Sequence, residues 1–255
     1  MLTYKTSEDF IKMSKAGKVV SNIHYEIYKI TKPGMKLKEL DNIAKEIIEK
    51  SNVESSFLGY PQPGSVDFPG HICASPNEVI VHGIPNEYIV QDGDILSIDV
   101  GVIYEGYHAD AAFTFGIGEV SEEDKLLMEI TKQALNEGIK LVKDGQKLGT
   151  IGHKIDEIAT KNKFGNVRNY VGHGIGLEMH EAPQVPNYGE KGRGFELKTG
   201  MAICIEPMFN RGSKDTVVDS DGWTVKTADS SKSAHFEHTI GITEEGTRVF
   251  TENLF

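Results

Sequence analysis

Only two cysteines occur in 255 residues, Cys73 and Cys204, each inside an apolar segment and far from the other. They build neither a disulfide framework nor a zinc finger, so a reduced, cytoplasmic chain is expected. No uninterrupted apolar run approaches the ~18 residues that span a bilayer. The N-terminal MLTYKTSEDFIKM carries charges where a signal peptide needs its apolar core, and no membrane role is expected. Basic residues are outnumbered, 27 Lys and Arg against 38 Asp and Glu, and the net charge of −11 excludes a nucleic-acid footprint. What the chain does hold is carboxylates and histidines, set into apolar surroundings.

Those residues recur in a faint internal repeat. KPGMKLKELDNIAKEIIEK (32–50) lines up with KDGQKLGTIGHKIDEIATK (143–161). Each copy follows an expected helix. The first starts at Ser7, Glu8 and Asp9 and carries Phe10, Met13, Val20, Ile23, Ile27 and Ile30. The second starts at Ser121 and runs through Leu127, Ile130 and Ala134 to Leu141. Further on, VHGI (81–84) is answered by GHGIG (172–176) and DGDILSIDV (92–100) by TGMAICIEP (199–207), with Asp99 opposite Glu206. YHADAAFTFGIGEV (107–120) is answered by AHFEHTIGITEEG (234–246), with Asp110 opposite Glu237. Any one pair is the kind of coincidence short apolar strands produce; four in the same order point to duplicated halves, about 7–120 and 121–250. A pseudo-two-fold relating them brings the paired carboxylates to a shared axis.

SIDVGVIYEGYHADAAFTF reads as two strands around Glu105–Gly106. With a two-residue loop, Gly101 lies opposite Asp110 and Asp99 opposite Ala112, so Asp99 and Asp110 share one face as diagonal neighbours. A single acid in such a strand is most simply solvent-facing. Four acids in two echoing apolar strand pairs are not, because burying each costs several kcal/mol unless a cation compensates it. No Lys or Arg occupies a neighbouring strand position. Two divalent metals bridged by carboxylates answer the charge, an arrangement suited to hydrolysis. Oxygen ligands with one imidazole suit manganese, iron, cobalt or zinc.

GHGIGLEMH (172–180) holds the imidazoles. It lacks the HExxH spacing of helical zinc proteases, and Leu177 stands where a phosphate loop needs its last glycine.

Together, DGDILSIDVGVIYEGYHAD, GHGIGLEMHEAPQVPNY, GMAICIEPM, DGWTVKTADSSKSAHFEHT and VIVHGIPNE resemble the type I methionine aminopeptidases of bacteria, over nearly the whole chain. The resemblance implies an α+β pita-bread fold, one catalytic domain (1–255) of two pseudo-symmetric halves with a curved antiparallel sheet and outer helices. It implies two divalent ions, of cobalt, manganese, iron, zinc or nickel, held by Asp99, Asp110, His173, Glu206 and Glu237, with Asp110 and Glu237 bridging. His82 and His180 then contact the scissile peptide, and Glu206 moves the proton from an attacking metal-bridging hydroxide to the leaving amine. Tyr60, Phe68, Cys73, Met179 and Trp223 are implied as walls of a methionine pocket. The implied activity is removal of N-terminal methionine before a small second residue, on nascent polypeptide N-termini. Ribosome association is left open, and the chain is expected to be monomeric.

His235 departs from the glutamine expected two residues before the last acid, and a partner role behind the ligands is open to it and to His108. His24 and His153 read as packing or surface residues, and His71 and His238 carry no motif. Two further readings are a prolidase-like enzyme cutting before proline and a metal-free binding protein of the same fold. The complete ligand set speaks against the second.

Overall fold

The computed structural model describes residues 2–252. Four helices form where the repeat places them: α1 (Ser7–Ile30), α2 (Leu37–Lys50), α3 (Glu122–Ile139) and α4 (Leu148–Lys161). The cap of α1 is Thr6 rather than Ser7. Thr6 Oγ1 accepts from Asp9 N, and the Asp9 carboxylate accepts from Thr6 N, a reciprocal capping box. Ser121 caps α3 as expected. This helix stops at Ile139, short of Leu141, because Leu141 N bonds back to Gly138 O in a tightened last turn. Leu37 and Leu148 hold the same place in the two aligned copies, and both helices they open run 14 residues. The turn before each places a glycine at positive φ, Gly34 at 94° and Gly145 at 75°, a conformation that disfavours any Cβ.

The expected hairpin is the strand pair Ile95–Tyr104 and Tyr107–Gly116. Glu105 and Gly106 both have positive φ, as a two-residue turn matching the strand twist requires. Asp99 therefore lies opposite Ala112 and Gly101 opposite Asp110, in the register the sequence predicts. Strand Cys73–Pro76 pairs on the other side of Ile95–Tyr104, with Cys73 opposite Asp99. The later strands repeat the arrangement: Ala202–Ile205 pairs antiparallel with His238–Thr243, and Gly172–Gly174 joins Ala202–Ile205 and Glu181–Val185.

Helix α1 lays Ala16, Val20, Ile23 and Ile27 on the hairpin. His24 is wholly buried there, its ring 4.6 Å from that of Phe113, and so is a packing residue. The two sheets are stitched along one seam. Asp110 N donates to Thr239 Oγ1, which donates back to Asp110 O, and Glu237 N donates to Ala112 O. Farther along, the Thr114 hydroxyl donates to His235 O and accepts from His235 N. This seam carries Asp110 and Glu237, one from each half of the chain, to one spot.

Candidate metal centre and substrate pocket

A cavity of about 270 Å³ opens at that seam. All twelve residues expected at the site line it: the four acids and the His173 imidazole, His82, His180 and the five pocket residues. Among the described residues no Lys or Arg lines the cavity, and the carboxylates there face one another.

Strand alternation sets the acids inward: Asp99 and Asp110 on the shared face of the hairpin, Glu206 just past Ala202–Ile205, and Glu237 just before His238–Thr243. The backbone around His173 is tight. A Cβ on Gly172 would stand 2.3 Å from Cys204 O, and one on Gly174 2.2 Å from Ala182 O, so glycine on both sides lets three strands close around the imidazole. His173 Nδ1 faces Gly174 O at 2.9 Å. A carbonyl only accepts, so Nδ1 carries the proton and the Nε2 lone pair is left for a cation. That lone pair lies 3.9 Å from Asp110 Oδ2 and 3.7 Å from Glu206 Oε1. Burial pushes the His173 pKa down to about 3, which keeps the ring neutral and ready to ligate.

The electrostatics favour cations. Burial lifts Asp99 to about 7. Burial and then the Asp99 charge lift Glu206 to about 8. Asp110 and Glu237 rise well above the carboxylate range, through burial first and then one another's company with Asp99 and Glu206. Asp99 Oδ1, Asp110 Oδ1 and Glu237 Oε1 are buried without a hydrogen-bond partner. Orphaned acceptors of this kind are costly unless something positive meets them. The donor set, four carboxylates and a correctly oriented imidazole, fits divalent metal.

Two neighbours join the centre: Cys204, for which no role is expected from the sequence, and His235, to which a partner role is open. Donor atoms of Asp110, His173, Glu237 and Cys204 all lie within 4.8 Å of one another. Cys204 sits two residues before Glu206 on the same strand face, and that spacing was the available signal. His235 turns its ring to the cavity, with Nε2 3.8 Å from Glu206 Oε2 and 3.9 Å from Glu237 Oε2. It thus faces two of the acids directly. His108 instead bonds Ser56 through Nδ1 at 2.9 Å and does not line the cavity. His71 pairs with Asp41, His238 with Thr251, and His153 is exposed on α4.

Beyond the acids the wall turns apolar. Phe68 packs edge-on against Trp223 with ring centres 5.2 Å apart, and Cys73 and Met179 are buried beside them. Phe57, missed in the sequence reading, meets Phe68 at 6.4 Å and completes the aromatic corner. The segment that carries Tyr60 and Phe68 is tied down by Gln62, which donates to Gly222 O, and by Trp223 Nε1, which donates to Val66 O at 2.7 Å. His82 adopts a positive φ of 59°, strain for a non-glycine residue of the kind found at working sites. Its ring lies edge-on to Trp223. His180 is held by Tyr60, hydroxyl to Nδ1 at 2.7 Å, and its ring centre lies 4.4 Å from that of His173.

Comparison with known proteins agrees with this geometry. The model of metallopeptidase family M24 matches residues 11–244. Methionine aminopeptidase 1 of Bacillus subtilis is 45% identical over 251 residues, 98% of this chain and 99% of the relative. The chain belongs to the methionine aminopeptidases of family M24. Within that family, the crystal structure of methionine aminopeptidase from Thermotoga maritima superposes with a TM-score of 0.95 at 42% identity, covering 99% of this chain and 100% of the other. Prolidase from Pyrococcus furiosus shares the fold at a TM-score of 0.78 and 22% identity, with this chain covering 66% of its length. The architecture is the pita-bread fold common to these aminopeptidases and prolidases, and the chain is a hydrolytic exopeptidase of that family.

Proposed function

We propose that the chain releases N-terminal methionine from nascent polypeptides whose second residue is small, with Asp99, Asp110, His173, Glu206 and Glu237 holding two divalent ions. One observation carries this reading: acids from both halves of the chain and an imidazole with its lone pair turned toward them share a buried cavity with an apolar, aromatic-walled recess. When bound, the metals lower the pKa of a water and polarise the scissile carbonyl.

The remaining work falls to the protein. Tyr60, Phe68, Cys73, Met179 and Trp223 receive the methionine side chain, whose unbranched thioether suits aromatic walls. With its side chain among these walls, the methionine presents the first peptide bond to the acids, as exopeptidase action requires. Glu206 takes a proton from the attacking water and returns it to the leaving amine. His180, fixed by Tyr60, donates to the carbonyl oxygen as negative charge develops there. His82 holds the amide beyond. The preference for a small second residue belongs to the same reading.

One catalytic unit of two pseudo-symmetric halves, acting as a monomer in the cytoplasm, belongs to this reading, and the two buried free thiols accord with a reducing compartment. Ribosome association belongs to the same reading, since nascent N-termini emerge there. The test is cleavage of Met-Gly-Met-Met against an Xaa-Pro dipeptide, each with and without added divalent metal. Release of methionine only with metal, and slow or absent Xaa-Pro cleavage, is expected. Faster Xaa-Pro cleavage would move the chain to the prolidase reading, and no cleavage with any metal would leave a binding protein.

A further inference from the structure

The turn that carries Met179 and His180 is anchored from behind by groups with no part in the chemistry above. Glu181 follows His180 and opens the strand Glu181–Val185, yet it does not line the cavity. Its carboxylate pairs with Lys5 at 2.7 Å, and both side chains are almost fully enclosed, at 1% and 3% exposure. The same carboxylate accepts from Thr3 Oγ1 at 2.5 Å, from Leu177 N at 2.8 Å and from Glu178 N at 3.3 Å. Lys5 is itself fixed by its backbone N–H, which donates to Gly200 O at 2.6 Å.

Gly176 shows how closely these parts meet. A Cβ there would stand 2.3 Å from Lys5 Cε and 2.7 Å from Glu181 Oε1. On the cavity side the turn is held by Tyr60 on His180 and by His108 N, which donates to Gly176 O. The loop bearing His180 is thus gripped from two sides, and the rear grip comes from the first residues of the chain. A buried ion pair is weak evidence for stability, because burying both charges offsets most of their attraction. A role in fixing geometry accounts better for placing one here.

We propose that the buried Lys5–Glu181 pair, with Thr3, is a positioning device that sets His180 against the substrate carbonyl. Lys5, Thr3 and Glu181 are positioning residues, and this inference rests on the functional reading above. A small displacement of such a group costs rate far more than binding, because its contact strengthens in the transition state.

The test uses the full-length, metal-loaded chain as Lys5→Met and, separately, Thr3→Val. For Lys5→Met, kcat on Met-Gly-Met-Met is expected to fall about 10- to 100-fold, with KM and metal affinity close to wild type. In histidine-ring NMR the His180 signal moves or broadens while that of His24, buried under α1, stays in place. Thr3→Val should move the same signals and kcat in the same direction by less, and it carries the test if Lys5→Met does not fold. Wild-type kcat with an unmoved His180 signal in a folded variant overturns the proposal, as does loss of metal affinity in step with kcat. If the wild-type chain releases no methionine, the functional reading fails, and the His180 signal alone then decides the clamp.

Discussion

Glu206→Gln is expected to lower methionine release by about 10²–10⁴-fold, the range that removal of a general acid–base group spans, while leaving the fold intact. The amide keeps the shape of the side chain but cannot accept and return a proton. It also offers a metal no negative charge. Glu206 lies 3.7 Å from His173 Nε2 and 3.8 Å from His235 Nε2, and burial followed by the Asp99 charge lifts its pKa to about 8. A neutral group at that place relieves a crowd of carboxylates. The metal-free variant should therefore melt at or above the temperature of the metal-free wild type, a trade of stability against activity. Steady-state kinetics and paired thermal melts read both effects. Near-normal turnover would remove Glu206 from the mechanism, and a large fall in melting temperature would mark it as a structural residue.

Chelation is expected to abolish activity and to leave a protein whose stability falls as pH rises from about 6.5 to about 8. The sign follows from the acids. Unfolded, they titrate near 4; folded without metal, Asp99 titrates at about 7 and Glu206 at about 8, with Asp110 and Glu237 well above the usual range. Above about pH 6.5 the buried histidines, held down to about 3 for His173 and His235 and to about 4 for His82, are neutral in both states. From there to about pH 8 the folded chain holds carboxyl protons that the unfolded chain has released, and stability declines across that window. Metal binding reverses this by displacing those protons. Added manganese or cobalt should restore activity and raise the melting temperature more at pH 8 than at pH 5.5. Calorimetry in buffers of different ionisation enthalpy should detect protons released on metal binding at pH 6.5, and fewer at pH 8.5. Full activity after exhaustive chelation, or binding without proton release, contradicts this account.

The hairpin around Glu105–Gly106 was legible to the residue, because a two-residue turn and side-chain alternation leave one register that puts Asp99 and Asp110 together. The paired helices were legible from the aligned copies, since Leu37 and Leu148 occupy equivalent positions. Meeting of the two halves was inferred only from the echo of their motifs. The bonds that achieve it, Asp110 with Thr239 and Glu237 with Ala112, join residues more than a hundred positions apart and leave no local pattern. Phe57 escaped notice because it too leaves no local pattern, whereas Cys204 carries one in its two-residue spacing from Glu206. The Lys5–Glu181 pair escaped too, because an N-terminal lysine reads as solvated until a structure buries it. His235 stands two residues before Glu237, the spacing that opens a partner role to it, and its Nε2 lies 3.8 Å from Glu206 Oε2 and 3.9 Å from Glu237 Oε2.

The central claim is that five side chains from both halves of the chain hold two divalent ions in this cavity. Diffraction from a manganese-soaked crystal at a wavelength where manganese scatters anomalously tests it most directly. Two peaks roughly 3.5–4 Å apart, bordered by Asp99, Asp110, His173, Glu206 and Glu237, are predicted. Peaks elsewhere on the molecule, or a cavity without anomalous signal at saturating metal, would contradict it.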